Sequence, residues 1–323
     1  MDYVELHAHS NFSLLDGAAF PESLVDAARA SGMRSLALTD HDGLYGAPRF
    51  FKAAREAGVK PILGAELTLE GGFHVTLLVQ NGTGYANLSR AITRSQLSGT
   101  KGDPSLSFSA LASYTGGLIC LSGCRRGEVP SLLLKGRKVD AIKAARRYLD
   151  LFSPHFYIEL QHHLHPDDTR LCGQLMDVAR EIGVRPVASN NVHYPVRDDF
   201  RLHDVLVCIK NRVALEASAP FRRANSEYYL KGAKKMLELL PALPGEAISG
   251  TAAVAECCRF DLDFSSYRFP EFSLPPGVAS PAPYLKGLCL EAARRKYGQT
   301  LPEEVSKRLD HELQLIEGKG LCG

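Results

Sequence analysis

The sequence predicts an α/β fold in which largely parallel strands close into a barrel, followed by a short helical segment. Two patterns carry this expectation. Over the first 195 or so residues, short apolar, β-branched runs alternate with amphipathic stretches of helical period, and strands alternating with helices build parallel β-α units. At least six such alternations fall in one stretch, which favours a closed barrel over an open sheet. A length of 323 residues, with 45% hydrophobic and 23% charged residues, suits one large globular domain plus a smaller piece.

The elements follow in order. Tyr3–His9 reads as a strand. Pro21–Ser31 reads as a helix, with proline early and Gly32 just past its end, the usual asymmetry of helix termini. Arg34–Asp40 is a strand, Ala47–Ala57 a helix closed by Gly58, and Lys60–Glu66 and Phe73–Gln80 are strands. Tyr85–Leu97 is helical, Gly117–Ser122 a strand, Val139–Leu151 a helix and His155–Gln161 a strand. Asp167–Ile182 is a helix ending at Gly183, and Arg185–Ser189 is the last strand. Beyond about residue 195 helical patterns take over, at Phe200–Ile209, Ser226–Leu240 and Glu246–Cys257. A stretch holding Pro270, Pro275, Pro276, Pro281 and Pro283 reads as a linker. Tyr284–Tyr297 and Glu303–Glu317 then read as two charged helices. They are too few to form a domain, so the pattern reads as a cut through a longer protein.

The bulk chemistry narrows the class. A net charge of +2 gives no global basic field to steer nucleic acid. No apolar run approaches the ~20 residues of a membrane helix, and MDYVELHAHS lacks the regions of a secretory signal. The eight cysteines are scattered without a C-x-x-C pair, which reads as buried free thiols in a cytoplasmic protein.

The chemistry-bearing residues gather at strand ends. The first strand ends in His7-Ala-His9, with Asp16 in the loop behind it. The second ends in Thr39-Asp40-His41-Asp42 and the third in Glu66. Cys124 follows the Gly117–Ser122 strand, and the last strand runs into Asn190-Asn191-Val192-His193. His74 departs from the pattern, because it sits near the start of its strand. In a β/α barrel the C-terminal ends of the strands build the active site. Five polar clusters after five strands would therefore converge. Alternation puts both imidazoles of H-x-H on one strand face, and imidazoles joined by carboxylates suit zinc, manganese or iron. The supply of ligands exceeds what one ion needs and suits two or three.

The segments LHAHSNFSLLDG, LALTDHDGLYG, PILGAEL, HVTLLVQNGTGYANL, LICLSGCRRGEV and ASNNVHY resemble, in order, those of the PHP (polymerase and histidinol phosphatase) domain of bacterial DNA polymerase III alpha subunits. RANSEYYLK and RLDHELQLIEGKGLCG are also similar to segments of that family. ASNNVHY, with Asn191, is most similar to the error-prone alpha subunits used in damage-induced mutagenesis. The resemblance covers essentially the whole chain. It implies a distorted, seven-fold TIM-like barrel over residues 1–270. It also implies a Pro-rich linker and the start of a polymerase palm over 271–323. Carried over motif by motif, it implies nine metal ligands: His7, His9, Asp16, His41, Glu66, His74, Cys124, Asn191 and His193. Eight match the family pattern. Asn191 stands where the family usually has Asp.

The resemblance further implies phosphoesterase chemistry, with 3′–5′ exonuclease proofreading as one form of it. DNA, the other polymerase domains and further replication or mutagenesis proteins are the implied partners. Arg125 and Arg126, just after Cys124, are candidates to hold a substrate phosphate, although a solvated surface pair is the stronger reading of the two. His162, His163 and His165 fit either a mouth rim or a polar loop. Two other functions stay open: a metal-stabilised docking domain without catalysis, and a free-standing histidinol-phosphatase-like enzyme, against which the polymerase-like C-terminal segment argues. Asp261-Leu-Asp263-Phe264 matches a non-catalytic segment of the family rather than the polymerase aspartates, and this chain alone is not expected to polymerise DNA. Gly82-Thr-Gly84 is a loop signal, not a nucleotide fingerprint.

Overall fold

In the computed structural model, residues 2–239, 245–263 and 272–322 are described. The chain divides into two units, Met1–Leu262 and Asp263–Gly323.

In the first unit, α1 (Pro21–Ala30) precedes β1 (Ser35–Leu38), and α2 (Ala47–Ala57) precedes β2 (Lys60–Leu69) and β3 (Phe73–Val79). Then come α3 (Gly82–Ser98), the short α4 (Phe108–Leu111) and β4 (Leu118–Leu121). α5 (Glu128–Leu134) and α6 (Lys138–Phe152) lead to β5 (Phe156–Leu160), and α7 (Asp168–Ile182) leads to β6 (Pro186–Ala188). α8 (Phe200–Asn211), α9 (Ala233–Leu239) and α10 (Gly245–Cys257) follow. The helix ends obey the local chemistry that predicts them. Gly58 and Gly183 cap α2 and α7 in the left-handed region, at φ 71° and 74°, where glycine carries no Cβ penalty. The Asn81 side chain accepts from the Gly84 N–H at the start of α3.

The six strands form one curled sheet in sequence order. β1–β2, β4–β5 and β5–β6 pair in parallel, while β3 runs antiparallel to both β2 and β4. The predicted N-terminal strand, Tyr3–His9, makes isolated parallel bridges rather than a long ladder, Glu5 to Leu36 and Ala8 to Val192. These bridges link it to β1 on one side and to the chain beyond β6 on the other. The His9 N–H donates to the Val192 carbonyl and the Val192 N–H to the His7 carbonyl, both at 2.8 Å. The segment thus closes the barrel as its seventh member.

One strand face changes character along the barrel axis. Ala37, Ile62, Leu78, Ile119, Tyr157 and Val187 form a single apolar cluster with Leu6 at one level. Two to four residues nearer the mouth, the same faces carry Glu66, Thr76, His74, Glu159 and Ser189, all buried. The opposite strand faces pack against helices in a second, larger apolar core.

Two predicted elements are corrected. The Ser226–Leu240 helix begins only at Ala233, and Leu240 lies outside the described residues. Residues 226–232 form no helix and hold one isolated bridge instead. Tyr229 bridges Tyr194, and the His193 N–H donates to the Tyr228 carbonyl; pairing with a neighbouring segment satisfies this backbone in place of an internal helix. The Pro-rich stretch is also not all linker, because Pro281 and Pro283 open α11 (Pro281–Tyr297). Proline is tolerated there, in the first turn, where its missing N–H has no intrahelical acceptor. Pro270 and Phe264 lie outside the described residues. In the second unit α11 is followed by α12 (Glu303–Gly318), and neither buries a residue fully. All eight cysteines are free, and Cys120, Cys124, Cys172, Cys208 and Cys258 are buried. No helix among the described residues is long and apolar enough to cross a membrane.

Candidate metal centre

All nine sequence-predicted ligands meet at the barrel mouth in one connected cluster. Glu66, at the mouth end of β2, lies at its centre. Its Oε1 is 3.4 Å from His7 Nε2, and its Oε2 is 3.6 Å from His9 Nε2 and 3.1 Å from both His41 Nδ1 and His74 Nδ1. Asp16 bridges on the outer side, with Oδ2 3.1 Å from His41 Nε2 and Oδ1 3.6 Å from His193 Nε2. Asn191 Oδ1 is 3.1 Å from His9 Nε2, and Cys124 Sγ is 3.7 Å from His74 Nδ1. β3 explains why His74 breaks the strand-end pattern. This strand is antiparallel, and the pairing of Thr68 with His74 sets its first residues at the same end as the last residues of β2.

Donor chemistry argues for cations here. His7 Nε2 and His9 Nε2 face each other at 3.2 Å, and Glu66 Oε1 is buried without a hydrogen-bond partner. A buried carboxylate oxygen left unpaired is costly. With metal–nitrogen bonds of about 2.0–2.1 Å, two ligands of one tetrahedral ion lie roughly 3.3–3.4 Å apart, which matches these spacings. Three overlapping groups, His7/His9/Glu66, His9/His41/His193 and His41/Glu66/His74, each bring their donor atoms within 4.8 Å of one another. The residues fit a cluster of divalent ions.

The supporting shell orients the ligands. Glu159 Oε1 lies 2.7 Å from His7 Nδ1, and the Asn191 carbonyl accepts from His193 Nδ1 at 2.7 Å. Each contact leaves the Nε2 of that imidazole turned to the site. Asp40 accepts from the Ser10 N–H and from the Ser10 and Ser13 hydroxyls. Asp42 accepts from the Thr68 N–H and hydroxyl. Of Asp40-His41-Asp42, then, only His41 faces the cluster, and the two aspartates brace the loops beside it. Leu15, Asp42, Leu164 and Asn191 all have positive φ, between 43° and 60°. Three of them adjoin or are predicted ligands, which is where backbone strain tends to be kept.

Electrostatics follow from burial and crowding. Burial favours a neutral Glu66, but His74, His7 and His41 overcome it and hold the carboxyl well below the usual range. Asp16 is likewise held low against its burial by His193, His203, His41 and Arg223. Burial opposes protonation of His7, yet Glu159 and Glu66 raise it to about 10. Burial and His41 push His9 down, and burial and Arg223 push His193 down. Burial and Glu66 raise the Cys124 thiol. A bound cation inverts that last tendency, since a coordinating thiol is deprotonated.

A cavity of about 160 Å³ lies over the cluster. Arg125, Arg126 and Arg223 line it. Arg125 is already engaged, with its guanidinium on Asp168 at 2.6 Å and Asp167 at 2.8 Å; Arg126 is exposed. Arg223 was not singled out, because beside Arg222 in a polar run it reads as a surface residue. Its NH2 contacts His193 Nε2 and lies 3.6 Å from Asp16 Oδ1. Glu159 was missed for a similar reason, as one polar residue inside an apolar strand. Of the three loop histidines, His163 is buried and stacked on Tyr228 at 3.9 Å, with Nε2 on the Asn190 carbonyl. His162 pairs with Thr169, and His165 with the Tyr228 hydroxyl.

Residues 5–163 match the PHP domain family. An error-prone DNA polymerase of Symbiobacterium thermophilum is 43% identical over 99% of this chain and 31% of its own length. A DNA polymerase III subunit alpha of Borreliella burgdorferi is 34% identical over 99% of this chain and 29% of its own. The chain thus spans about three tenths of the length of these relatives. Among solved structures, a histidinol phosphate phosphatase of Lactococcus lactis with zinc, L-histidinol and phosphate aligns at 14% identity and a TM-score of 0.34, covering 65% of this chain and 93% of that one. That likeness is too slight to argue from. The domain match makes residues 5–163 a member of the PHP domain family, and the relatives that align over nearly the whole chain are error-prone DNA polymerases and DNA polymerase III alpha subunits.

Proposed function

We propose that the cluster holds two or three divalent transition-metal ions, zinc, manganese or iron, and hydrolyses phosphoesters, with the 3′ end of a DNA strand as its substrate. The supporting observation is the placement of nine potential ligands under a cavity walled by three arginines. When bound, such ions supply Lewis-acid polarisation of a phosphoryl oxygen and a more acidic water. The chain's own part is to hold the geometry. Glu66, His7, His9, His41 and His74 would share the inner ions, and Cys124 would ligate beside His74. Asp16, His193 and Asn191 would complete the outer side. Glu159 fixes the His7 ring, and the cavity walls present guanidinium groups to a phosphate.

We further infer that the chain serves as the PHP domain of an error-prone DNA polymerase. In that reading residues 1–270 form the metal barrel and residues 271–323 lead into the polymerase palm. Its partners are DNA, the other domains of that polymerase and further replication or mutagenesis proteins in the cytoplasm. A second reading draws on the barrel closure: His7 and His9 lie in the closing segment, so ions bound there would hold the barrel together without catalysis. Elemental analysis after chelator-free purification, paired with a single-strand 3′ exonuclease assay, separates the two. Hydrolysis that is lost with the metal supports the first. At least two ions with no hydrolysis supports the second, and no bound metal overturns both. Primer extension by this chain alone is expected to give no product.

A further inference from the structure

The cavity over the cluster, at about 160 Å³, has room for a phosphoryl group but not for a nucleotide, since small-molecule sites usually run from about 300 to 1,000 Å³. Whatever carries the phosphate must therefore extend elsewhere. A second hollow of about 580 Å³ opens beside it, and Arg223 lines both. Its other walls include Tyr194, Phe200, Asp204, Arg222 and Asn225.

Two consecutive arginines mark the path between them. Arg223 has its guanidinium 4.0 Å from the centre of the Tyr228 ring, with Nε 3.4 Å from His203 Nε2. Stacking on Tyr228, with Nε turned to His203 and NH2 to His193, fixes this guanidinium where the two hollows meet. Arg222 faces the second hollow. One of its NH groups donates to Asp204 Oδ2 at 3.0 Å, while its Nε is buried with no hydrogen-bond partner. The side chain as a whole is 34% exposed beside that one carboxylate, so its outer N–H groups, rather than the buried Nε, are ones that an anion can recruit.

We propose that the second hollow receives the nucleotide adjoining the phosphate under attack, with Arg223 and Arg222 gripping successive phosphates of a single DNA strand. The site then selects a polynucleotide over a small monoester. This rests on the phosphoesterase reading of the cluster. Asp204 tempers Arg222, so removing that carboxylate should strengthen the grip rather than weaken it.

The test is binding of a 5′-fluorescein oligothymidylate with phosphorothioate linkages to the metal-loaded chain, followed by anisotropy across a salt series. Arg222→Ala should weaken binding about tenfold, the size of a lost charge-assisted hydrogen bond. It should also reduce the salt slope by about 0.7, the share of one single-strand phosphate. Asp204→Asn should tighten binding by about threefold, in line with the small worth of a partly exposed ion pair. A merely structural pair would move both variants the same way. Metal content and melting temperature are read for each, and Arg222→Lys replaces any variant that loses either. Equal binding by all forms, or weaker binding by Asp204→Asn, overturns the proposal. A chain that hydrolyses p-nitrophenyl phosphate but ignores the oligonucleotide overturns the strand subsite while the phosphoesterase reading stands. Arginine-dependent strand binding with no hydrolysis of either probe leaves the subsite standing and removes the phosphoesterase reading.

Discussion

Two buried polar clusters share the same pieces of backbone. Glu5 and Asn190 belong to one; His7, His9 and Asn191, one to four residues further on, belong to the other. In the first, donors and acceptors mostly meet, although Glu227 Oε2 makes no hydrogen bond and has only the Lys231 ammonium near it. Glu5 accepts from the Tyr3 hydroxyl, the His7 N–H and the Asn190 N–H. Asn190 donates to the Glu227 and Tyr229 carbonyls and accepts from Lys231. Lys231 also lies 3.3 Å from Glu227 Oε2 and 4.3 Å from the centre of the Tyr229 ring. In the second, imidazole nitrogens face one another and Glu66 Oε1 has no hydrogen-bond partner. A cluster in which an ammonium, carboxylates and amides answer one another needs nothing more, whereas one that turns imidazole nitrogens towards each other and towards a carboxylate suits a cation. Burial alone does not distinguish a structural network from a ligand site; the match of donors to acceptors does.

The sharpest way to separate the clusters is to remove the metal. A ligand that binds only the native state stabilises it by about 2.7–4.1 kcal/mol at 100 to 1,000 times its Kd. In a domain of this size each kcal/mol is worth about 2–4 °C. Chelation should therefore lower the melting temperature by on the order of 10 °C for each tightly held ion. A melting curve unmoved by chelation would mean that the upper cluster is complete without ions.

Single substitutions should then divide along the same line. Glu66→Gln should lower metal content by at least one equivalent, because Glu66 belongs to two of the three donor groups. His9→Ala and His41→Ala should lower both metal content and melting temperature. Glu5→Gln should leave the metal in place and cost about 1–3 kcal/mol, the penalty of disturbing a buried hydrogen-bonded group. Loss of metal in Glu5→Gln, measured by elemental analysis, would show that the two clusters act as one.

Much of this site can be read from the sequence, and the exceptions share a cause. His7, His9, His41, Glu66 and His193 announce themselves because they end strands, and strand ends meet at a barrel mouth. His74 looked misplaced because strand direction is not written in periodicity; only the pairing of β3 shows it reversed. Residues 226–232 read as helix because their apolar spacing suits either state, and pairing with the chain around Tyr194 decided it. Glu159 and Arg223 left no local pattern, since each acts through partners far away in the chain, His7 for one and Asp16 and His193 for the other. Asp40 and Asp42 share the strand end with His41 but were not among the expected ligands, and hydroxyls and backbone N–H groups take their oxygens.

The self-satisfied cluster makes its own pH prediction. Burial lowers Lys231 from the ordinary 10.5 to about 7. Between these values the unfolded chain holds a proton that the folded chain has released, so stability rises with pH across that window. One proton corresponds to a slope of at most about 1.4 kcal/mol per pH unit. Lys231→Met should remove that contribution. Urea melts of both forms between pH 7 and 9.5 should show the wild type gaining on the variant as pH rises. Parallel profiles would mean that Lys231 keeps its charge through the ion pair with Glu227.

The finest distinction concerns Asn191, the predicted ligand for which the sequence resemblance leads one to expect Asp. Its Oδ1 lies 3.1 Å from His9 Nε2 and its side chain is buried, so it faces the cation-seeking cluster. An amide offers a neutral carbonyl oxygen, whereas a carboxylate brings a full charge and two oxygens. Closely packed cations repel one another, and each carboxylate among them offsets that repulsion. Asn191 should therefore leave one ion more weakly held than the rest. Asn191→Asp is compatible with the local backbone, because the positive φ of 43° is one that Asn and Asp both tolerate. In a metal titration the variant should bind the weakest ion at least about tenfold more tightly, a modest share of the Coulomb energy of one added charge. Hydrolysis of phosphodiester probes should stay equal or rise. Unchanged affinity for every ion would place Asn191 outside the coordination shell and assign its amide to a substrate or a water instead.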